Sequence, residues 1–244
     1  MMRTQRALLV SAFGLMMGCG LLDQVSPGNG PGPNTSVGGL RIEASFGVDI
    51  KDIPGSTESP VSGTFVTVQK QDSSGKMDVS KDAVLQVNGV TIPYNTLISV
   101  FDFSKVTIPN AGPGSTLTLS ATRGADSATF QIKCPDITLT APEENTKVTE
   151  GQDLTVSWTG KLRYASGLLF GPQLKLKGYN AATNSIDPLS EAGKITSDTS
   201  GTIKIPSADG KTGYVVELSV PGDNVSGDGG TGLCFVYRRR HLTK

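Results

Sequence analysis

TLTLSATRGADSATFQI, residues 116–132, reads as two strands and the turn between them. Apolar side chains fall on alternate positions, Leu117 and Leu119 before the turn, Phe130 and Ile132 after it. That period of two places them on one sheet face, whereas a helix repeats near 3.6. The intervening TRGAD holds Gly124, which supplies the positive φ of a tight reversal at no steric cost. The same period extends upstream through 41–50 (RIEASFGVDI), 64–70 (TFVTVQK), 83–92 (AVLQVNGVTI) and 100–108 (VFDFSKVTI). Asn88-Gly89 interrupts the third run with a dipeptide that type I′ turns favour, which predicts two short strands there. Pro, Gly and Ser-Asp turns punctuate the series. Six or seven such strands over residues 39–133 predict a small β-sandwich.

Downstream, strands are expected at 136–141, 153–159, 173–180, 201–205, 213–220 and 232–239, a second unit over residues 134–244. Its opening, TAPEENTKVTEGQDLTVSWTG (140–160), resembles that of immunoglobulin-like and fibronectin-like modules. A strand ends at Pro142, a polar turn follows, and an alternation runs through Val148, Leu154 and Val156 to Trp158. The resemblance implies a sandwich scaffold and brings no functional residues with it. The expected fold class is therefore all-β, with two tandem immunoglobulin-like β-sandwich modules. Trp158 shares its strand face with apolar neighbours, which favours core packing; the other reading is a ligand platform with the ring exposed at a rim. Lys133-Cys134-Pro135 leaves almost no linker, and Pro135 restricts Cys134 to extended geometry. Residues 39–133 are expected to fold as a unit separable from residues 134–244.

At the N-terminus, Arg3 and Arg6 precede an unbroken apolar or small run, Ala7 to Met17 (ALLVSAFGLMM). A bilayer span needs about 20 residues; this run has the proportions of a cleaved signal peptide. The stretch Leu15-Met16-Met17-Gly18-Cys19 resembles the lipobox of bacterial lipoproteins. That resemblance implies cleavage before Cys19, a diacylglyceryl thioether on its sulfur and acylation of its new amine. Gly20, in place of Asp, looks like export to the outer membrane, with the protein on the periplasmic face or the cell surface. Membrane lipid is then a partner through the Cys19 acyl chains. Residues 1–18 are the expected signal peptide, and residues 19–38 the lipidated cysteine and a Gly/Pro-rich flexible tether.

With Cys19 assigned to lipid, Cys134 and Cys234 remain, an even number in an exported chain, where disulfides persist. They bracket the second unit, so a bond between them is expected to staple its first strand to its last. Two separate buried thiols and a redox pair are the alternatives.

The chain carries 22 basic and 22 acidic residues and one histidine. Balanced charge lacks the footprint of a nucleic-acid binder, and no nucleic-acid partner is expected. His241 sits in the tail RRRHLTK, and no GxSxG, P-loop, dinucleotide fingerprint or HExxH occurs. No catalytic residue, cofactor or metal ligand is assigned. The run 224–229 (NVSGDG) matches the first half of an EF-hand loop, but Phe235 stands where the bidentate Glu belongs, and a hairpin loop accounts for it. Two surfaces are candidates for a partner. One is the apolar set Tyr164, Leu168, Leu169 and Phe170, equally readable as edge cover; the other is the basic end Arg238, Arg239 and Arg240, equally readable as a solvated strand end. The expected function is a non-enzymatic, lipid-anchored cell-envelope protein, structural or partner-binding, with an envelope protein or polysaccharide as partner. One alternative is a carboxylate-based hydrolase of envelope or external polysaccharide, which needs two carboxylates in a cleft. The other is a non-catalytic carbohydrate-binding module, which needs a row of exposed aromatics on one sheet face.

Overall fold

The computed structural model describes residues 34–50, 65–71, 77–104, 106–162, 171–207 and 210–244. The first half of the chain supplies β1 (Thr35–Val37), β2 (Leu40–Ile50), β3 (Phe65–Gln71), β4 (Met77–Val79) and β5 (Val84–Val87). β6 (Val90–Ile92), β7 (Tyr94–Asn95), β8 (Val100–Phe101), β9 (Thr116–Arg123) and β10 (Asp126–Lys133) follow. The second half supplies β11 (Thr138–Ala141), β12 (Thr146–Lys147), β13 (Asp153–Thr159), β14 (Gln173–Asn180) and β15 (Ser185–Ala192). It continues with β16 (Lys194–Ser197), β17 (Ser200–Lys204), β18 (Gly213–Pro221), β19 (Val225–Gly227) and β20 (Gly230–Thr243). The architecture is all-β, with several sheets.

The hairpin of β9 and β10 forms where the alternation places it, and it runs deeper than the pattern suggests. Arg123 pairs with Asp126, so only Gly124, at φ 60°, and Ala125 make the turn. Between β5 and β6, Asn88 and Gly89 have φ of 48° and 81°, positive at both central positions as a type I′ turn requires. A Cβ on Gly89 meets open space, so only the backbone opposes a substitution there. Gly89→Ala should therefore cost about 1 kcal/mol, read as a lower urea midpoint at unchanged m-value.

The organising element is β20. One nine-stranded sheet draws strands from both halves of the chain: seven run in the order β15-β14-β18-β20-β2-β3-β4, and β12 and β19 each pair with β20 off that path. β2 lies parallel to the early part of β20, with Phe46 beside Cys234 and Val48 beside Val236. β18 lies antiparallel to its later part, with Leu218 beside Arg238 and Tyr214 beside Leu242. A five-stranded sheet, β1-β10-β9-β5-β6, lies against β2 and β20, and a four-stranded sheet, β11-β13-β17-β16, packs against β14 and β20. The first core holds Phe46, Leu85, Leu117, Phe130 and Ile132, with Cys234 and Val236 from β20. The second holds Trp158, Ile205, Tyr214, Val216 and Leu218, with Leu242 from the same strand. Residues 234, 236 and 242 share one side of β20, so both smaller sheets cover the same face of the nine-stranded one.

Three expectations are corrected. Residues 35–37 belong to a strand rather than to the tether: β1, with β-branched Thr35 and Val37, pairs with β10, and Gly38 and Gly39 turn the chain into β2 at φ of 69° and 73°. Among the described residues of the run 100–108, only Val100–Phe101 form strand. The second half contains β15 and β16, whose composition hides them. Pro188 sits in β15, at a sheet edge and beside a register shift, where a missing N–H costs no ladder bond.

Candidate functional site: the outer face of the shared sheet

Odd-numbered positions of β20 point away from both cores. Phe235 stands beside Gly47 on β2 and Pro221 on β18, and Tyr237 stands beside Ser219. Their rings stack at 6.3 Å between centroids and 24° between planes. Both rings are half-buried. Leu233 and Phe65 flank Ser45 on the same face and extend the strip toward β3, with Phe65 52% exposed.

Along β20 the apolar strip gives way to charge. Arg239 lies beside Glu217, which lies beside Lys175 on β14. Arg239 Nε donates to Glu217 Oε2 at 2.7 Å and Lys177 Nζ donates to the same oxygen at 2.9 Å. Glu217 is only 4% exposed. Burial pushes its carboxyl upward, but the Arg239 and Lys177 charges and hydrogen bonds outweigh that and hold it below the ordinary carboxylate range. His241, one pair further along, is buried and packs edge-on against Tyr179 at 4.4 Å. Its backbone N–H donates to Glu144 Oε2 at 3.0 Å. Burial lowers the imidazole's proton affinity, opposed by the Glu144 charge.

The three arginines of the expected basic end do not share a surface. Alternation sends Arg239 to the outer face and Arg238 and Arg240 to the inner one, between the two cores. Arg238 is 9% exposed, and an Arg240 guanidinium N–H donates to the Leu139 carbonyl at 3.3 Å. Tyr164, Leu168, Leu169 and Phe170 lie outside the described residues, as does Cys19; Leu162, just before that apolar set, is buried in the second core. Trp158 is a core residue, opposite Leu139, and its indole N–H donates to the Asp198 carbonyl at 2.7 Å.

Cys134 and Cys234 form a disulfide. Its position corrects the expected staple: both half-cystines lie in the first core, beside β10 and β2, although the loop they close contains nearly all of the second half. The reason is the parallel pairing of β2 with β20, which carries Cys234 out of the second unit's own packing.

Residues 224–229 are part of the β19–β20 hairpin, in which Gly227 pairs with Gly230. Among the described residues no group of three or more His, Cys, Asp or Glu is placed to hold a metal ion. A shallow cleft of about 480 Å³ is lined by Glu150, Glu191, Lys204 and Ile205. Glu150 there pairs with Lys244 at 2.9 Å, and both side chains are well solvated.

No family model matches the chain, and no curated protein matches it. Fold and faces together define an all-β, disulfide-linked protein of several sheets.

The outer-face residues Phe235, Tyr237, Glu217 and Lys177 were missed in the sequence reading, but a signal for them existed. In 232–239 (GLCFVYRR) both alternating sets are apolar or aromatic over Leu233 to Tyr237. A strand apolar on both sides is either covered twice or carries a contact face.

Proposed function

We propose that this chain is a non-enzymatic cell-envelope protein, held at a bacterial outer membrane by acyl chains on Cys19, that presents its outer sheet face to an envelope partner. Its halves are read as two immunoglobulin-like sandwiches fused through β20, a frame that holds the face still. The Phe235–Tyr237 stack carries this reading, because both smaller sheets lie on the opposite side of β20 and Arg239 follows Tyr237 on the same face of the strand. Aromatic and arginine side chains dominate the energetics of protein contact surfaces. Tagged protein recovered from detergent-solubilised membranes should carry a discrete partner, and Phe235→Ser with Tyr237→Ser should reduce its capture about tenfold at unchanged circular dichroism. Equal capture by parent and variant would reject this face as the contact surface.

The same stack supports a second reading, carbohydrate binding without catalysis, since the C–H faces of pyranose rings pack on aromatic rings. That reading expects retention on purified envelope polysaccharide, lost in the same double variant, with no reducing ends released.

A further inference from the structure

The short hairpin of β7 and β8 ends in an apolar tip. Tyr94 pairs with Phe101 and their rings meet edge to face at 5.2 Å, with Phe101 buried in the first core. Beyond this base, Leu97 is 91% exposed and Ile98 60% exposed. The tip has a built shape. The Leu97 N–H donates to Asn95 Oδ1 at 3.0 Å, and Ser99 takes the left-handed conformation at φ 55°. No Asp, Glu, Lys or Arg occurs from Ala83 through Phe101.

We propose that Leu97 and Ile98 insert into the headgroup–acyl boundary of a lipid bilayer, as a membrane contact separate from any acyl chain on Cys19. Area argues for lipid over protein: a stable protein interface buries about 800 Å² on each partner, far more than two side chains supply. A bilayer requires no matching surface, and each methylene buried in it favours binding about fourfold. A tip without charged residues enters that boundary without desolvating an ion. The stretch from Cys19 to Asn34 can reach about 50 Å when extended, so an anchored chain can bring the tip to the membrane that holds it. The proposal goes beyond the anchoring reading and stands without it.

The test uses a chain beginning at Gly20, which keeps every described residue and bears no acyl chain. Cys134 and Cys234 are bonded, so Thr96→Cys introduces one free thiol beside the tip for a polarity-sensitive dye. Neutral phosphatidylcholine vesicles at millimolar lipid should shift the dye emission to the blue, and 0.5 M salt should leave the shift in place. A label at Ala182→Cys, on a distant exposed turn, should not respond. Leu97→Asp with Ile98→Asp should weaken partitioning about tenfold or more, whereas Leu97→Phe should retain it; unchanged melting of each variant excludes unfolding as the cause. Four results would overturn the proposal. These are no shift at position 96, equal partitioning by the double Asp variant, binding confined to anionic vesicles and released by salt, or a shift that follows protein concentration without vesicles and so reports self-association. The mass of the Cys19 peptide from native protein reports lipidation independently, so either idea can fail alone.

Discussion

Replacing Cys134 and Cys234 together by Ala lowers stability by about 4–5 kcal/mol, and the loss falls first on the first core. The bond joins residues 100 apart in sequence, and in the chain-entropy treatment a loop of that length contributes about 4.7 kcal/mol by restricting the unfolded chain. Both half-cystines are buried beside Phe46, and the Cys134 N–H donates to the Ser115 carbonyl at 2.8 Å, so the substitution also leaves space in a packed region. Without the bond, β20 is held to the first core by its pairing with β2 and by Val236, whereas the second core, which contains neither half-cystine, keeps all of its own packing and its pairing of β18 with β20. Hydrogen exchange should therefore show faster opening at Phe46, Phe130 and Ile132 before Val156 and Ile203 change. The reverse order, with the second core loosening first, would return the bond to the role its sequence position suggested.

Glu217→Ala is expected to cost about 3–5 kcal/mol, the usual consequence of removing one partner from a buried ion pair. Lys177 and Arg239 converge on one oxygen of that carboxylate, and its removal leaves two cations facing each other across it. The same group predicts a pH dependence. Its folded-state proton affinity is depressed, so its contribution is present above the unfolded value near 4.3 and is lost as pH falls through the lower folded value. His241 is depressed as well, by burial, so its contribution is present above the unfolded value near 6.5 and is lost as pH falls below it, ahead of the Glu217 stage. Stability should thus fall on acidification in two stages. His241→Gln should remove the upper stage and Glu217→Gln the lower, measured as urea midpoints from pH 7.5 to 3. A single stage common to both variants would mean that neither group governs the curve.

What was legible in the sequence is what local chemistry decides. The alternation in 116–132, the Asn88-Gly89 turn and the inward face of Trp158 each depend on residues within a few positions, and each appears in the structure. The pairing of Cys134 with Cys234 was legible once Cys19 was read as lipid-bearing, a reading that leaves two cysteines to pair. Its location was not, because it depends on β2 finding β20, and parallel neighbours leave no turn between them to read. The extent of β20 was hidden by Arg238–His241, which look like a solvated end; in the sheet, charge alternates between Glu217 on one face and the Leu139 carbonyl on the other. The outer face was obscure for the same reason, since its members come from β2, β3, β14, β18 and β20, and nothing local marks them as neighbours.

β20 also fixes when the molecule can be finished. β2 is made early, but the Arg41 guanidinium and the Gly227 carbonyl near the start of its parallel partnership are 186 residues apart. As the chain grows from its N-terminus, β2 can pair with β3 on one side only and offers the other as a bare strand edge, open to foreign strands. The second core waits as well, since Leu242 and the neighbour of β18 arrive with the same segment. Contacts of such high sequence separation close slowly. Both halves should therefore reach their native state in one late step, and a ribosome stalled before Gly230 would carry two incomplete cores.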